Sequence, residues 1–82
     1  MLRSGYVTLG PGQDVGEHST GAHEEIVIVL EGQGQACARG RDPLDVRAGQ
    51  AVYVPPETWH NMRSAGEAAF RYIFVVAPAA GG

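Results

Sequence analysis

Apolar residues along this chain recur with a period of two, the spacing that a β-strand imposes on its two faces. Residues 69–76 carry it most plainly: Phe70, Tyr72, Phe74 and Val76 fall on one face, and Arg71, Ile73 and Val75 on the other. Leu44 and Val46 alternate with Asp45 and Arg47, which predicts a half-buried strand, and residues 6–9 alternate more weakly. Residues 24–30 instead hold a continuous run of β-branched residues, Ile26-Val27-Ile28-Val29. The run is too short for a typical helix and is closed by Glu31-Gly32-Gln33-Gly34, so it predicts a buried strand. Residues 51–54 read the same way until Pro55-Pro56, which removes two ladder donors and must end the pairing. Further strands are predicted at 15–18, 35–39 and 60–63. Turns are predicted at Gly10-Pro11-Gly12, at 40–43, at Ala48-Gly49-Gln50 and at 64–67. No stretch has helical periodicity. Short strands at turn spacings of about eight to twelve residues predict an all-β domain, a sandwich or jelly-roll barrel. Residues 77–82 have nothing to pack against and are expected to fray.

Eighty-two residues make one domain, residues 1–82, because a chain this short buries only about 60% of its unfolded surface and cannot divide that between two cores. Twelve glycines, five prolines and a charged fraction of 18% fit a turn-rich globular domain better than a coiled or disordered one. A net charge of −3 with no Lys/Arg run excludes the usual footprint of nucleic-acid binding. No apolar stretch approaches the roughly 20 residues that span a bilayer, which argues against a membrane role. The N-terminus MLRSGYVTLG lacks the apolar core and cleavage site of a signal peptide, so a cytoplasmic location is expected. Cys37 is the one cysteine, and its place in the alternation of QACAR reads as a small strand residue rather than a reactive thiol. A small barrel leaves sheet edges that invite pairing, so a homodimer is expected, with residues 1–10 as a strand that adds to a neighbour's sheet.

Two spacing patterns carry the functional argument. Gly12, His18, Thr20, Glu25 and Gly32 are separated by five, one, four and six residues, and Gly49, Pro55, Glu57 and His60 by five, one and two. Together they resemble the paired motifs of the cupin superfamily, G-x5-H-x-H-x(3,4)-E-x6-G and G-x5-P-x-G-x2-H-x3-N. The resemblance spans residues 12–64 and implies a small double-stranded β-helix that binds a metal. The chain departs from the motifs at three positions: Thr20 stands at the second histidine, Glu57 at a turn glycine and Ser64 at the asparagine. Small cupins of this kind are commonly homodimers. The family's ligand set of three histidines and a glutamate therefore carries over as His18, Glu25 and His60.

The chemistry of these residues points the same way. Imidazole and carboxylate suit Fe, Mn, Ni, Zn or Cu, and two histidines with one carboxylate match the facial arrangement of non-haem iron sites. All three histidines of the chain lie in or beside the motifs. His23, which the motif does not require, shares a strand face with Glu25, so it either replaces the histidine missing at Thr20 or orients Glu25. The candidate metal residues are thus His18, His23, Glu25 and His60. Glu24 points the opposite way and reads as a rim or interface residue. Trp59 reads as a hydrophobic plug rather than a substrate platform, Pro55-Pro56 as turn chemistry, and Gly32 and Gly49 as positions of positive φ. These residues predict a divalent transition metal in the barrel mouth, serving a dioxygenase, isomerase or decarboxylase that acts on a small polar organic molecule. The alternative is a module that binds a small ligand or sugar without turning it over, which the loss of a ligand at Thr20 favours.

Overall fold

The computed structural model describes residues 1–79, which form eight β-strands and no helix. The strands are β1 (Arg3–Leu9), β2 (His18–Ser19), β3 (His23–Glu31), β4 (Gln33–Ala38), β5 (Leu44–Arg47), β6 (Ala51–Val54), β7 (Trp59–Ser64) and β8 (Phe70–Pro78). They build two four-stranded antiparallel sheets in the orders β1-β8-β3-β6 and β2-β7-β4-β5, the double-stranded β-helix that the motifs imply. The alternation seen in the sequence sets what lies between them. Val27 and Val29 of β3, Phe70 and Tyr72 of β8, Leu9 of β1, Val46 of β5 and Met62 of β7 form the buried core. Each such side chain contributes about 1.5–3 kcal/mol through its removal from water.

Cross-strand register decides which residues share a level of the barrel. On the inner face of the first sheet, Arg3, Val76, Glu25 and Val54 make one transverse row at the mouth. Gly5, Phe74, Val27 and Val52 make the next row inward, and Val7, Tyr72 and Val29 follow. Gly32 and Gly49 take positive φ, 81° and 90°, as their turn positions require. A Cβ on Gly32 would also stand 2.2 Å from the Ala69 carbonyl oxygen, so nothing larger fits there.

Three details differ from the sequence reading. The second strand is only His18–Ser19, because the Asp14 carboxylate accepts the Gly16 N–H at 2.8 Å and Gly16 turns to φ 90°, which breaks the run begun at Val15. Val15 is left exposed. The last strand runs on through Pro78, opposite His23, and Ala79 donates its N–H to Ala22 at 3.0 Å. Residues 77–79 of the expected frayed tail are therefore tied to the sheet, and 80–82 lie outside the described residues. Trp59 is not a plug. It lies on the outer face, 45% exposed, with the Arg39 guanidinium stacked 4.6 Å from its ring centre and held there by Glu17 at 2.7 Å.

Candidate metal centre

His18 and His60 are directly paired across the β2–β7 ladder, and Glu25 reaches the same point from β3 in the facing sheet. The ligand atoms these three residues offer all lie within 4.8 Å of one another. Each imidazole is held the same way: His18 Nδ1 lies 2.9 Å from the Gly16 carbonyl, and His60 Nδ1 lies 3.0 Å from the Thr58 carbonyl. A carbonyl only accepts, so Nδ1 is the protonated nitrogen of each neutral ring and the lone pair falls on Nε2, the tautomer a metal requires.

His60 is 3% exposed, and its Nε2 is buried with no hydrogen-bond partner. The Glu25 carboxylate stands 3.7 Å from it, close enough for charge attraction but beyond hydrogen-bond length. That carboxylate raises the His60 pKa above its ordinary value. Burial works against the rise, and the Thr58 carbonyl adds to it. An orphaned ring nitrogen costs about 1–3 kcal/mol in a buried site. A cation bound between His60, His18 and Glu25 removes that cost, so the residues present fit a metal.

The other sequence candidates take distinct places. His23 begins β3, one pleat nearer the mouth than Glu25. It lines the same cavity but is not among the three donors that converge. Thr20 faces inward too, but its hydroxyl is already engaged. It donates to the Pro55 carbonyl at 2.7 Å and accepts the Thr58 N–H at 3.0 Å, which fastens the β2–β3 turn to the β6–β7 turn. Glu57 has φ 54° and is the one non-glycine residue with positive φ among the described residues, so the backbone keeps the turn geometry without the glycine. Ser64 is buried, and its N–H donates to Gln13 at 2.9 Å. Glu24 points outward, where it accepts the Tyr53 hydroxyl at 2.8 Å.

A cavity of about 220 Å3 opens beside His18 and Glu25. Val7, Met62, Phe74 and Val76 give it apolar walls, while Arg3 and the Tyr72 phenol add polar groups. Burial and then the Glu25 charge push the Tyr72 pKa up to about 12, so its hydroxyl stays a neutral donor. Arg3 and Tyr72 lie outside both motifs and were not among the sequence candidates. The inward face of residues 70–76 held the signal for Tyr72, whereas nothing local marked Arg3.

The architecture and the His/Glu/His cluster define a double-stranded β-helix with a possible metal site. The chain belongs to the cupin domain family, whose model matches residues 5–76. It is 30% identical over 76 residues to polyketide synthase CurC of Streptomyces cyaneus, an alignment that takes in 93% of this chain and 49% of that one. It thus spans about half the length of the curated relative it matches. Among solved structures, a Cupin 2 conserved barrel domain protein of Salinispora arenicola is similar, with 26% identity and TM-score 0.85 over 96% of this chain and 65% of the other. A predicted oxalate decarboxylase of Thermotoga maritima superposes with TM-score 0.86 at 22% identity, over 93% of this chain and 65% of that one, and shows the shared fold alone. No helix among the described residues is long and apolar enough to cross a membrane.

Proposed function

We propose that His18, Glu25 and His60 hold a divalent transition metal in the barrel mouth, where it binds a small polar organic molecule for turnover by a dioxygenase, isomerase or decarboxylase reaction. One observation carries the reading: His60, whose Nε2 is buried and unpartnered, belongs with His18 and Glu25 to a cluster whose ligand atoms all lie within 4.8 Å of one another. Two imidazoles and a carboxylate suit Fe, Mn, Ni, Zn or Cu, and His23 is the nearest source of a further ligand. The ion would supply Lewis acidity toward a substrate oxygen or, if redox-active, dioxygen chemistry. The chain's own residues do the rest. Backbone carbonyls orient both rings, apolar side chains wall the cavity, and Tyr72 offers a neutral hydroxyl. The similarity to a polyketide synthase is in keeping with a substrate from polyketide synthesis.

The reading is tested by measuring metal in the purified protein and the melting temperature with and without added Zn(II), Mn(II) or Fe(II). One ion per chain and a rise in melting temperature are expected, both lost in His18→Ala and His60→Ala. A protein without stoichiometric metal that gains no stability from any of these ions would sink the reading.

A module that binds a small ligand or sugar without turnover is the second reading. It is favoured by Thr20, whose hydroxyl serves the backbone at the position where the family places a fourth ligand. Saturable ligand binding by the metal-loaded protein, with no turnover of catechols, thiols or diketones, would select it. We also place the protein in the cytoplasm as a homodimer. β1 leaves one edge of its sheet open, and Tyr6, Ile26, Ile28 and Tyr53 expose apolar surface on the outer face.

A further inference from the structure

The cavity beside the metal cluster has a chemical polarity of its own. Arg3 sits in the same transverse row as Glu25, with Val76 between them, so the two Cα atoms are two strand spacings apart, about 9–10 Å. Both side chains face inward. Arg71 pairs with Glu31 at 3.1 Å, Arg39 with Glu17 at 2.7 Å, and Arg63 donates to Gln35, while Arg41 and Arg47 have no such side-chain partner but do not line this cavity. Arg3 has no hydrogen-bond or ion-pair partner among the described residues, although it lines the cavity. The cavity's carboxylate, Glu25, already faces His60. The wall thus holds one carboxylate, Glu25 at the metal cluster, and one guanidinium, Arg3, two strands away.

Shape complements charge. Gly5 follows Arg3 by one inward position, and a Cβ there would stand 2.4 Å from Phe74 Cζ. The tip of the Phe74 ring thus occupies the space that a side chain at position 5 would fill, and Phe74 forms an apolar wall of the cavity. At about 220 Å3 the cavity exceeds the roughly 150 Å3 that suffices for a benzene ring.

We infer that this cavity takes a small carboxylic acid with a one-ring apolar body, its carboxylate gripped by Arg3 and its ring laid against Phe74. Guanidinium and carboxylate match as a two-point, charge-assisted pair, which a neutral amide of the same shape cannot form. The inference deepens the metal reading by naming a substrate class for the same site, and it rests on that reading only for what happens to the acid after it binds.

The test compares benzoate with benzamide by titration calorimetry on the whole chain, both Zn(II)-loaded and metal-free, with zinc stoichiometry measured separately. Benzoate is expected to bind about tenfold or more tightly than benzamide. Arg3→Gln, at an exposed position, should remove that preference while leaving zinc binding and melting temperature unchanged. Gly5→Ala should weaken both ligands, because the added methyl drives the Phe74 ring into the cavity. Equal affinity for the two ligands, or a preference that survives Arg3→Gln, would overturn the inference while zinc binding stood. Absence of zinc binding together with an Arg3-dependent preference would remove the metal reading and support the acid site.

Discussion

His18 and His60 face each other as a cross-strand pair, their ring centres 4.3 Å apart and their planes inclined at 57°. Each anchors its Nδ1 on the carbonyl two residues before it in the chain, Gly16 for one and Thr58 for the other. Two separate strands thus repeat one local device, which leaves both Nε2 lone pairs available to one point. Glu25 adds a negative charge there from the opposite sheet, 3.7 Å from His60 Nε2.

The sign of the pH response follows from that charge. In the metal-free protein the Glu25 carboxylate raises the His60 pKa. The resulting stabilisation is fully present below the ordinary histidine value of about 6.5 and is lost as pH rises through the shifted one. Metal needs the unprotonated Nε2, so the gain in melting temperature on adding metal should grow over the same interval. Melting curves between about pH 5 and 8, with and without Zn(II), check both trends. Glu25→Gln should flatten the metal-free one.

Thr20 links two turns through one hydroxyl. Thr20→Ala leaves the Pro55 carbonyl and the Thr58 N–H without it, at an expected cost of about 1–3 kcal/mol in urea unfolding. Thr20→Ser should recover most of that. If alanine were as stable as the native residue, the staple would carry no weight.

Glu57 holds φ 54°, a conformation that costs an ordinary L-residue roughly 1–2 kcal/mol. Glycine escapes that cost but loses about 0.5–1 kcal/mol in unfolded-state entropy. Glu57→Gly is therefore expected to gain about 0.5–1 kcal/mol, a rise in melting temperature of a few degrees for a domain of this size.

Assembly is open to a direct measurement. Sedimentation equilibrium should give twice the 8.6 kDa chain mass, and Ile28→Asp, in the transverse row Tyr6–Ile73–Ile28–Ala51, should shift the protein toward the monomer. A native chain that sediments as a monomer at micromolar concentration contradicts the dimer.

Most of the strand pattern was legible in the sequence because local sterics write it there. Alternation of Phe70, Tyr72, Phe74 and Val76 is a face, and Pro55-Pro56 is a stop. The motif spacings likewise marked His18, Glu25 and His60, which the structure brings together. Val15 misled because the turn made by Asp14 and Gly16 depends on a side-chain hydrogen bond that competes with the ladder. Trp59 misled because Arg39 and Glu17, from other parts of the chain, give an outer aromatic ring a partner.

The sequence by itself determined the all-β class, the turns and the residue types able to ligate a metal, since each depends on neighbours a few positions away. Only the tertiary structure decided the rest: that His60 Nε2 is buried without a partner, that Thr20 is spent on the backbone, and that Arg3 enters the same row as Glu25. Those facts depend on cross-strand register between segments far apart in the chain, and register is set by the packing of the whole core rather than by any one strand.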